Sequence, residues 1–426
     1  MGKHVICLRH LFVSDPLLSD WILEQEINKA DGPLDQCDLV ILLFGEPLTQ
    51  FAVLAFTALN KYKFKSVTFI ADRIFKKSDL FSIISFDYTI HIIDYWAIIA
   101  QGFNTQVEPK INNLSGPGLL LTGRLDRLNR ITLLKKMYDK NNLKNIRWSY
   151  PSITLSDQIN KFLNEQHRSD YKNFLSFCKK NAINCIDEFA HDNKDYSIYS
   201  LSNQYRCTGY SIISESIFSG ISFITEKTYR AILECHPYIM ASSAGTLALL
   251  ESMGFKTFAN YLLHPSYDLE NNDISRLDLI VENIVDFPNK LVLHKKQIQE
   301  DILHNWKHLQ TLCNIHSLLF CNLVGIEGQS SFDYLKKITE LNSLVNTSAL
   351  KESDEYKRRV EICKLGGWLS HYNQIKADDW PDITTENEFY QLSIELQTEC
   401  IDIFGFQPGV YLDQNNPEYI INKVDC

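Results

Sequence analysis

Apolar and polar positions along the first hundred residues fall into short runs of changing period. "HVICLRH" (4–10) is a short apolar run, and "LLSDWILEQEI" (17–27) repeats its apolar residues at helical spacing. "CDLVILLFG" (37–45) is continuously apolar, as in a strand covered on both faces. "QFAVLAFTALNKY" (50–62) predicts a helix, and "SVTFIAD" (66–72) and "DYTIHIID" (87–94) predict strands. This β-α-β-α-β order predicts a parallel sheet with helices on its faces. Residues 103–117 are polar and turn-rich and predict a linker.

The pattern then restarts. "GLLLTG" (118–123) predicts a strand, "RLNRITLLKKMYDKN" (127–141) a helix, and "NIRWSY" (145–150) and "GYSIISES" (209–216) further strands. In "FITEKTYRAILECHPYIM" (223–240) a helix opens near Thr225 and leads into another strand. "TLALLESMGF" (246–255) predicts a short helix with Gly254 just past its end, as a C-cap. Two amphipathic helices follow, in "SRLDLIVENIVDF" and "HKKQIQEDILHNWKHLQTLCNIHSLLF". Beyond about 330 the alternation stops, with "DYLKKITELNSLV" helical and Trp368, Tyr372 and Trp380 in the tail, either docking it or forming an aromatic platform. The expected class is α/β: an N-terminal Rossmann-like domain (1–105), a second Rossmann-like domain (118–330) and a mainly helical C-terminal appendage (331–426).

Composition narrows the function classes. A formal net charge of −10 argues against a nonspecific nucleic-acid groove or an anionic membrane surface as the main partner. The 11 cysteines form no C-x-x-C pair, which excludes a zinc ribbon and fits small apolar residues of a reduced protein. No apolar run approaches a bilayer span and the first residues show no signal-peptide core, so a cytoplasmic location is expected. "HNWKH" (304–308) spaces two histidines by four but lacks the glutamate and third ligand of a zinc helix, so a packing role is expected and no metal site.

Three places carry candidate chemistry. Thr225, Glu226 and Lys227 stand where a helix opens, and Glu215 follows a strand. A helix N-terminus suits a diphosphate, Lys227 adds a charge for phosphate oxygens, and Glu226 or Glu215 can accept from ribose hydroxyls. An ordinary helix capped by Thr225, with Glu226 facing the dipole, accounts for the same residues. Secondly, "LLLTGRLDRLNRITLL" sets Gly123 at a strand end followed by Arg124, Arg127 and Arg130, whose guanidinium forks can grip a pyrophosphate. Arg124 is the best placed, directly after Gly123 at the carboxyl end where ligands gather in α/β sheets. Thirdly, "LVILLFGEP" (39–47) ends a buried strand in Glu46, a candidate base for an acceptor hydroxyl, with Asp72, Asp94 and His10 at neighbouring strand ends.

"ESIFSGISFITEKTYRAI" (215–232) resembles the nucleotide-sugar motif of the α1,3-fucosyltransferase family, which runs E-N-S, a short spacer, then T-E-K. The matching positions are Glu215, Ser216, Thr225, Glu226 and Lys227. The resemblance implies that the acid and lysine contact the ribose and phosphates of a nucleoside-diphosphate sugar. The family's asparagine is absent, because Ser216 follows Glu215 directly, so the donor base is not fixed. Glu46 resembles the family's base, which also sits in a Gly-Glu turn. "AGTLALLESMGFKTF" (244–258) is similar to a segment of phage and bacterial glycosyltransferase-like proteins.

These readings imply a GT-B glycosyltransferase with the donor domain second and the active site in the cleft. Glu226, Lys227, Glu215, Thr225, Gly123, Arg124 and Arg127 would hold the donor, and Glu46 would act as base. No cofactor beyond the nucleotide sugar is expected. Arginine, lysine and a helix end would stabilise the leaving diphosphate without obligatory metal, and direct displacement would invert the anomeric centre. The acceptor is a glycan or small molecule. A phage-type transferase acting on DNA or a modified base, and an inactive nucleotide-sugar binder, are the alternatives.

Overall fold

In this computed structural model the described residues are 3–7, 19–43, 56–71, 85–103, 108–111, 113–121, 128–149, 165–181, 202–215, 217–218, 222–328, 330–342, 352, 354 and 357. Among them the chain forms two four-stranded parallel sheets, each in its own compact unit. The first unit joins the chain ends, Met1–Tyr95 with His316–Cys426, and the second is Trp96–Ile315. The α/β class expected from the alternating pattern is present.

The first sheet holds β1 (Lys3–Cys7), β2 (Asp38–Leu43), β3 (Ser66–Ala71) and β4 (Thr89–Ile92), with α1 (Ser19–Ile27) between its first two strands. Strand order is β1-β2-β3-β4, all parallel, with Val5 opposite Val40 and Ile41 opposite Phe69. Leu39, Ile41 and Leu43 of β2 and Val67, Phe69 and Ala71 of β3 share a core with Leu23 and Ile27 of α1. Val40, Leu42 and Ile70, which alternate with them, are buried too. Both faces are covered, and this is why β2 reads as an unbroken apolar run. The part of the expected 50–62 helix that is described, Phe56–Lys61, is a 3₁₀-helix.

The second unit follows with α2 (Tyr95–Phe103), β5 (Gly118–Leu120), α3 (Leu128–Asp139), β6 (Ile146–Trp148), α4 (Glu165–Asn181) and α5 (Ser202–Arg206). Then come β7 (Tyr210–Ser214), α6 (Glu226–Leu233), β8 (Tyr238–Ala241), α7 (Thr246–Ser252), α8 (Asp273–Leu293) and α9 (Lys295–Val324). The division between the units falls inside α9. Helix α2 was not anticipated; its buried Trp96, Ala97, Ile98 and Ala100 form a nearly unbroken apolar stretch, which hides helical periodicity. Helix α8 continues past Pro288 to Leu293, since the stripe Ile280, Ile284, Phe287, Leu291 stays buried beyond the proline. Helix α7 ends as expected. Gly254 has φ +94, its N–H donates to Glu251 O at 2.9 Å, and Phe255 N–H donates to Leu250 O at 3.1 Å. These are the two bonds of a Schellman motif.

The last described helix, α10 (Ser331–Asn342), belongs to the first unit and packs on β1. There Lys3 Nζ donates to the carbonyls of Asn322 (3.3 Å) and Leu323 (2.6 Å), satisfying oxygens at the end of α9. Among the described residues no helix is long and apolar enough to cross a membrane.

Candidate functional site

Strand order in the second sheet is β6-β5-β7-β8, all parallel. The chain steps from β5 to β6 on one side, then returns past β5 to β7 on the other. Connections therefore leave β5 and β7 in opposite directions, and the carboxyl ends of these neighbours form the sheet's topological switch point, where open α/β sheets bind ligands. In the first sheet the described strands step one way only, without such a reversal.

Two predicted elements approach this switch point. Ser214 ends β7 and Glu215 follows it, and the guanidinium of Arg130, buried in the first turn of α3, donates to their carbonyl oxygens at 3.4 and 3.5 Å. Arg130 of the arginine cluster is thus brought to the end of β7. Gly123, Arg124 and Arg127 lie outside the described residues, as do Glu46, Asp72, His10, Ser216, Trp368, Tyr372 and Trp380. Asp94 is buried after β4 in the first unit, where its N–H donates to His316 Nδ1 at 3.3 Å.

The helix opening at 225 is built from the acid below it. Glu215 is 0% exposed. Its Oε1 accepts from the backbone N–H of Thr225 (3.1 Å) and from Thr228 Oγ1 (2.6 Å), while Oε2 accepts from Thr225 Oγ1 (2.5 Å). Thr225 is the N-cap of α6 in extended conformation, and its oxygen accepts from Lys227 N–H at 3.4 Å and Lys227 Nζ at 3.1 Å. Lys227 Nζ also lies 2.8 Å from Glu226 Oε1, and the two side chains remain 26% and 22% exposed. Glu215, Thr225, Glu226 and Lys227 are therefore one contiguous cluster, with Glu215 sealed beneath and the Glu226–Lys227 pair at the surface. Burial pushes the Glu226 carboxyl upward, but the charge and hydrogen bond of Lys227, the residue's own N–H and the Thr225 side chain outweigh it and hold it below the usual range.

The neighbouring loop after β8, Ser242–Gly245, leads into α7 with Gly245 at φ +82. Ser222 Oγ donates to Ala244 O at 3.0 Å, joining this loop to the segment before α6. Glycine at the N-cap offers no side-chain acceptor, so Asp268 caps α7 from 20 residues away, its Oδ2 accepting from Leu247 N–H (3.0 Å) and Ala248 N–H (3.3 Å). Burial raises the Asp268 carboxyl above its ordinary value, against the opposing pull of those N–H groups.

Arg276 was not anticipated. It is 1% exposed and donates to Ser242 O (3.1 Å), Glu270 O (2.6 Å), Phe218 O and Asp273 Oδ1 (2.6 Å), with its guanidinium 4.5 Å from the Phe218 ring centroid. One buried cation thus ties the segment after β7 to the loop after β8. Its signal in the sequence was a polar residue on the apolar stripe of α8, shared with buried Asn283.

The two histidines of "HNWKH" donate to backbone: His304 Nε2 to Gly254 O (2.9 Å) and His308 Nε2 to Met253 O (2.7 Å), closing the end of α7. Among the described residues no group of three His, Cys, Asp or Glu is placed to hold a metal ion. No protein-family model and no curated protein matches the chain.

Proposed function

We propose that the chain is a glycosyltransferase that moves a sugar from a nucleoside-diphosphate sugar to an acceptor hydroxyl. In this reading both units are Rossmann-like in the GT-B manner, and the donor lies at the carboxyl edge of the second sheet. One observation supports this above the others: a partly exposed carboxylate–ammonium pair, Glu226 and Lys227, opens α6 above the Glu215 that follows β7 at the switch point. The ammonium suits phosphate oxygens, and a carboxylate ionised at neutral pH is an acceptor suited to ribose hydroxyls. Arg130 adds positive charge at the same strand end. Gly123, Arg124 and Arg127 would extend the diphosphate grip from the end of β5, and Glu46 would take the acceptor proton. Direct displacement then inverts the anomeric centre, the leaving diphosphate being stabilised by fixed cations and a helix end.

A panel of nucleoside diphosphates and nucleotide sugars, read by thermal shift and by nucleotide release, tests the reading. A ligand at a hundred times its Kd adds about 2.7 kcal/mol of stability. One nucleotide is expected to raise the midpoint of the wild type and not of Lys227→Ala, and its sugar conjugate to release the free diphosphate when acceptor is supplied. A panel that shifts neither protein overturns the proposal.

A further inference from the structure

Thr225 can donate one hydrogen bond and accept two. Its hydroxyl lies 2.5 Å from Glu215 Oε2, in the range of a charge-assisted O–H···O⁻ bond, and a carboxylate only accepts. The hydroxyl proton is therefore spent at this short contact with Glu215, in preference to the Glu226 carboxyl that it also approaches, and the lone pairs turn to Lys227, toward its N–H at 3.4 Å and its ammonium at 3.1 Å. Thr228 is committed in the same way, at 2.6 Å from Oε1. We propose that Glu215 is a positioning residue rather than a ligand contact: by taking the Thr225 proton, it fixes that hydroxyl as an acceptor and holds the Lys227 ammonium beside Glu226 at the start of α6. The claim deepens the donor-site reading only in what the ammonium is for; its placement stands on the geometry alone.

The bonding directions make Glu215→Gln informative. A glutamine here keeps most bonds with its oxygen in the Oε1 position, where the fixed N–H of Thr225 and the Thr228 hydroxyl both donate. Its NH₂ then takes the Oε2 position and donates to Thr225 Oγ1, turning the threonine proton outward against the Lys227 ammonium. Glu215→Gln, of nearly unchanged volume, thus removes the Thr225 contact of the Lys227 ammonium without opening a cavity, and leaves its pair with Glu226 in place.

Trace acetylation of the folded full-length chain, quantified by peptide mass spectrometry, reads this directly, with exposed Lys140 as internal control. Loss of one charge-assisted hydrogen bond predicts about tenfold faster labelling of Lys227 in Glu215→Gln, with Lys140 unchanged. Thr225→Val, which removes the hydroxyl, should give the same rise, and Thr225→Ser should keep the wild-type rate. Wild-type labelling of Lys227 in a folded Glu215→Gln overturns the proposal. Should that variant fail to fold, wild-type labelling in Thr225→Val overturns it equally. Nucleotide affinity is measured alongside on the same proteins. If the wild type binds no nucleotide while the labelling follows the predicted order, the positioning role stands and the donor reading falls.

Discussion

The ring of His236 stands 2.9 Å from the carbonyl oxygen of Tyr205, and because a carbonyl only accepts, Nε2 must carry the hydrogen. Burial keeps the imidazole neutral, so Nδ1, 2.9 Å from Ser211 Oγ, is the acceptor. This bridge ties α5 and the approach to β8 onto β7 at the amino edge of the second sheet, away from the candidate site at the carboxyl edge.

Burial pulls the His236 pKa down from 6.5 to about 4, the Tyr205 carbonyl opposing only in part. Above 6.5 the ring is neutral in both folded and unfolded chains and stability does not depend on it. As pH falls from 6.5 to about 4 only the unfolded chain takes up the proton, so stability is lost across that window, by about 3 kcal/mol at most. Urea unfolding at several pH values should show this slope in the wild type. It should be reduced in His236→Gln, whose amide can both donate to Tyr205 and accept from Ser211. An equal slope in that variant would refute the assignment.

Arg276 should be irreplaceable by lysine. Its guanidinium serves three backbone carbonyls, those of Ser242, Glu270 and Phe218, in addition to Asp273. An ammonium on a flexible stem cannot reproduce that fork. Arg276→Met leaves the carbonyls without this donor, each buried unsatisfied group costing about 1–3 kcal/mol. Chemical denaturation should therefore show losses above about 3 kcal/mol for methionine and nearly as much for lysine. A lysine variant as stable as wild type would show that the charge alone matters.

What the sequence made legible, and what it hid, divides on distance along the chain. The strands of both sheets could be read because continuous or alternating apolar residues are local signals, and the Gly254 cap because the motif spans a few residues. The Thr225–Glu226–Lys227 triplet stood out as contiguous chemistry at a helix start. The acceptor that organises it, Glu215, lies ten residues before Thr225, and no local pattern assigns its oxygens to Thr225 and Thr228 rather than to a ribose. The Asp268 cap of α7 and the carbonyls held by Arg130, 84 and 85 residues apart from it in sequence, are likewise products of folding. Arg276 was missed because an arginine in an amphipathic helix reads as surface until the helix is packed.

Gly254 should resist even alanine. At φ +94 a side chain costs about 1–2 kcal/mol of backbone strain. An added Cβ would also stand 2.8 Å from Cε1 and Nε2 of His308, the ring whose bond to Met253 O closes α7. Gly254→Ala is thus expected to lose more than backbone strain alone explains. Combined with His308→Ala, which removes the colliding ring, the losses should sum to less than the two single variants together. Strict additivity in a denaturation cycle would mean that the ring simply moves aside.

Arg230 in the last turn of α6 and Glu234 at its C-cap form a buried charge pair. Arg230 and Glu234 meet at 2.6 Å with each side chain 6% exposed, and Arg230 lies 5.9 Å from the Tyr205 ring centroid. Taking two ions so far out of water costs much of what their mutual attraction returns, so the pair adds less to stability than either partner's loss would suggest. Glu234→Gln leaves a buried guanidinium without its carboxylate and should cost about 3–5 kcal/mol. Arg230→Met alone takes the guanidinium from a buried carboxylate and should cost a similar amount. The double variant removes both ions, and methionine retains much of the apolar stem that packs on Tyr205. It should therefore recover much of the single-variant loss, leaving a large favourable coupling energy in the cycle. If the double variant is as unstable as the sum of the singles, Arg230 and Glu234 are each held by other groups, and their proximity contributes nothing of its own.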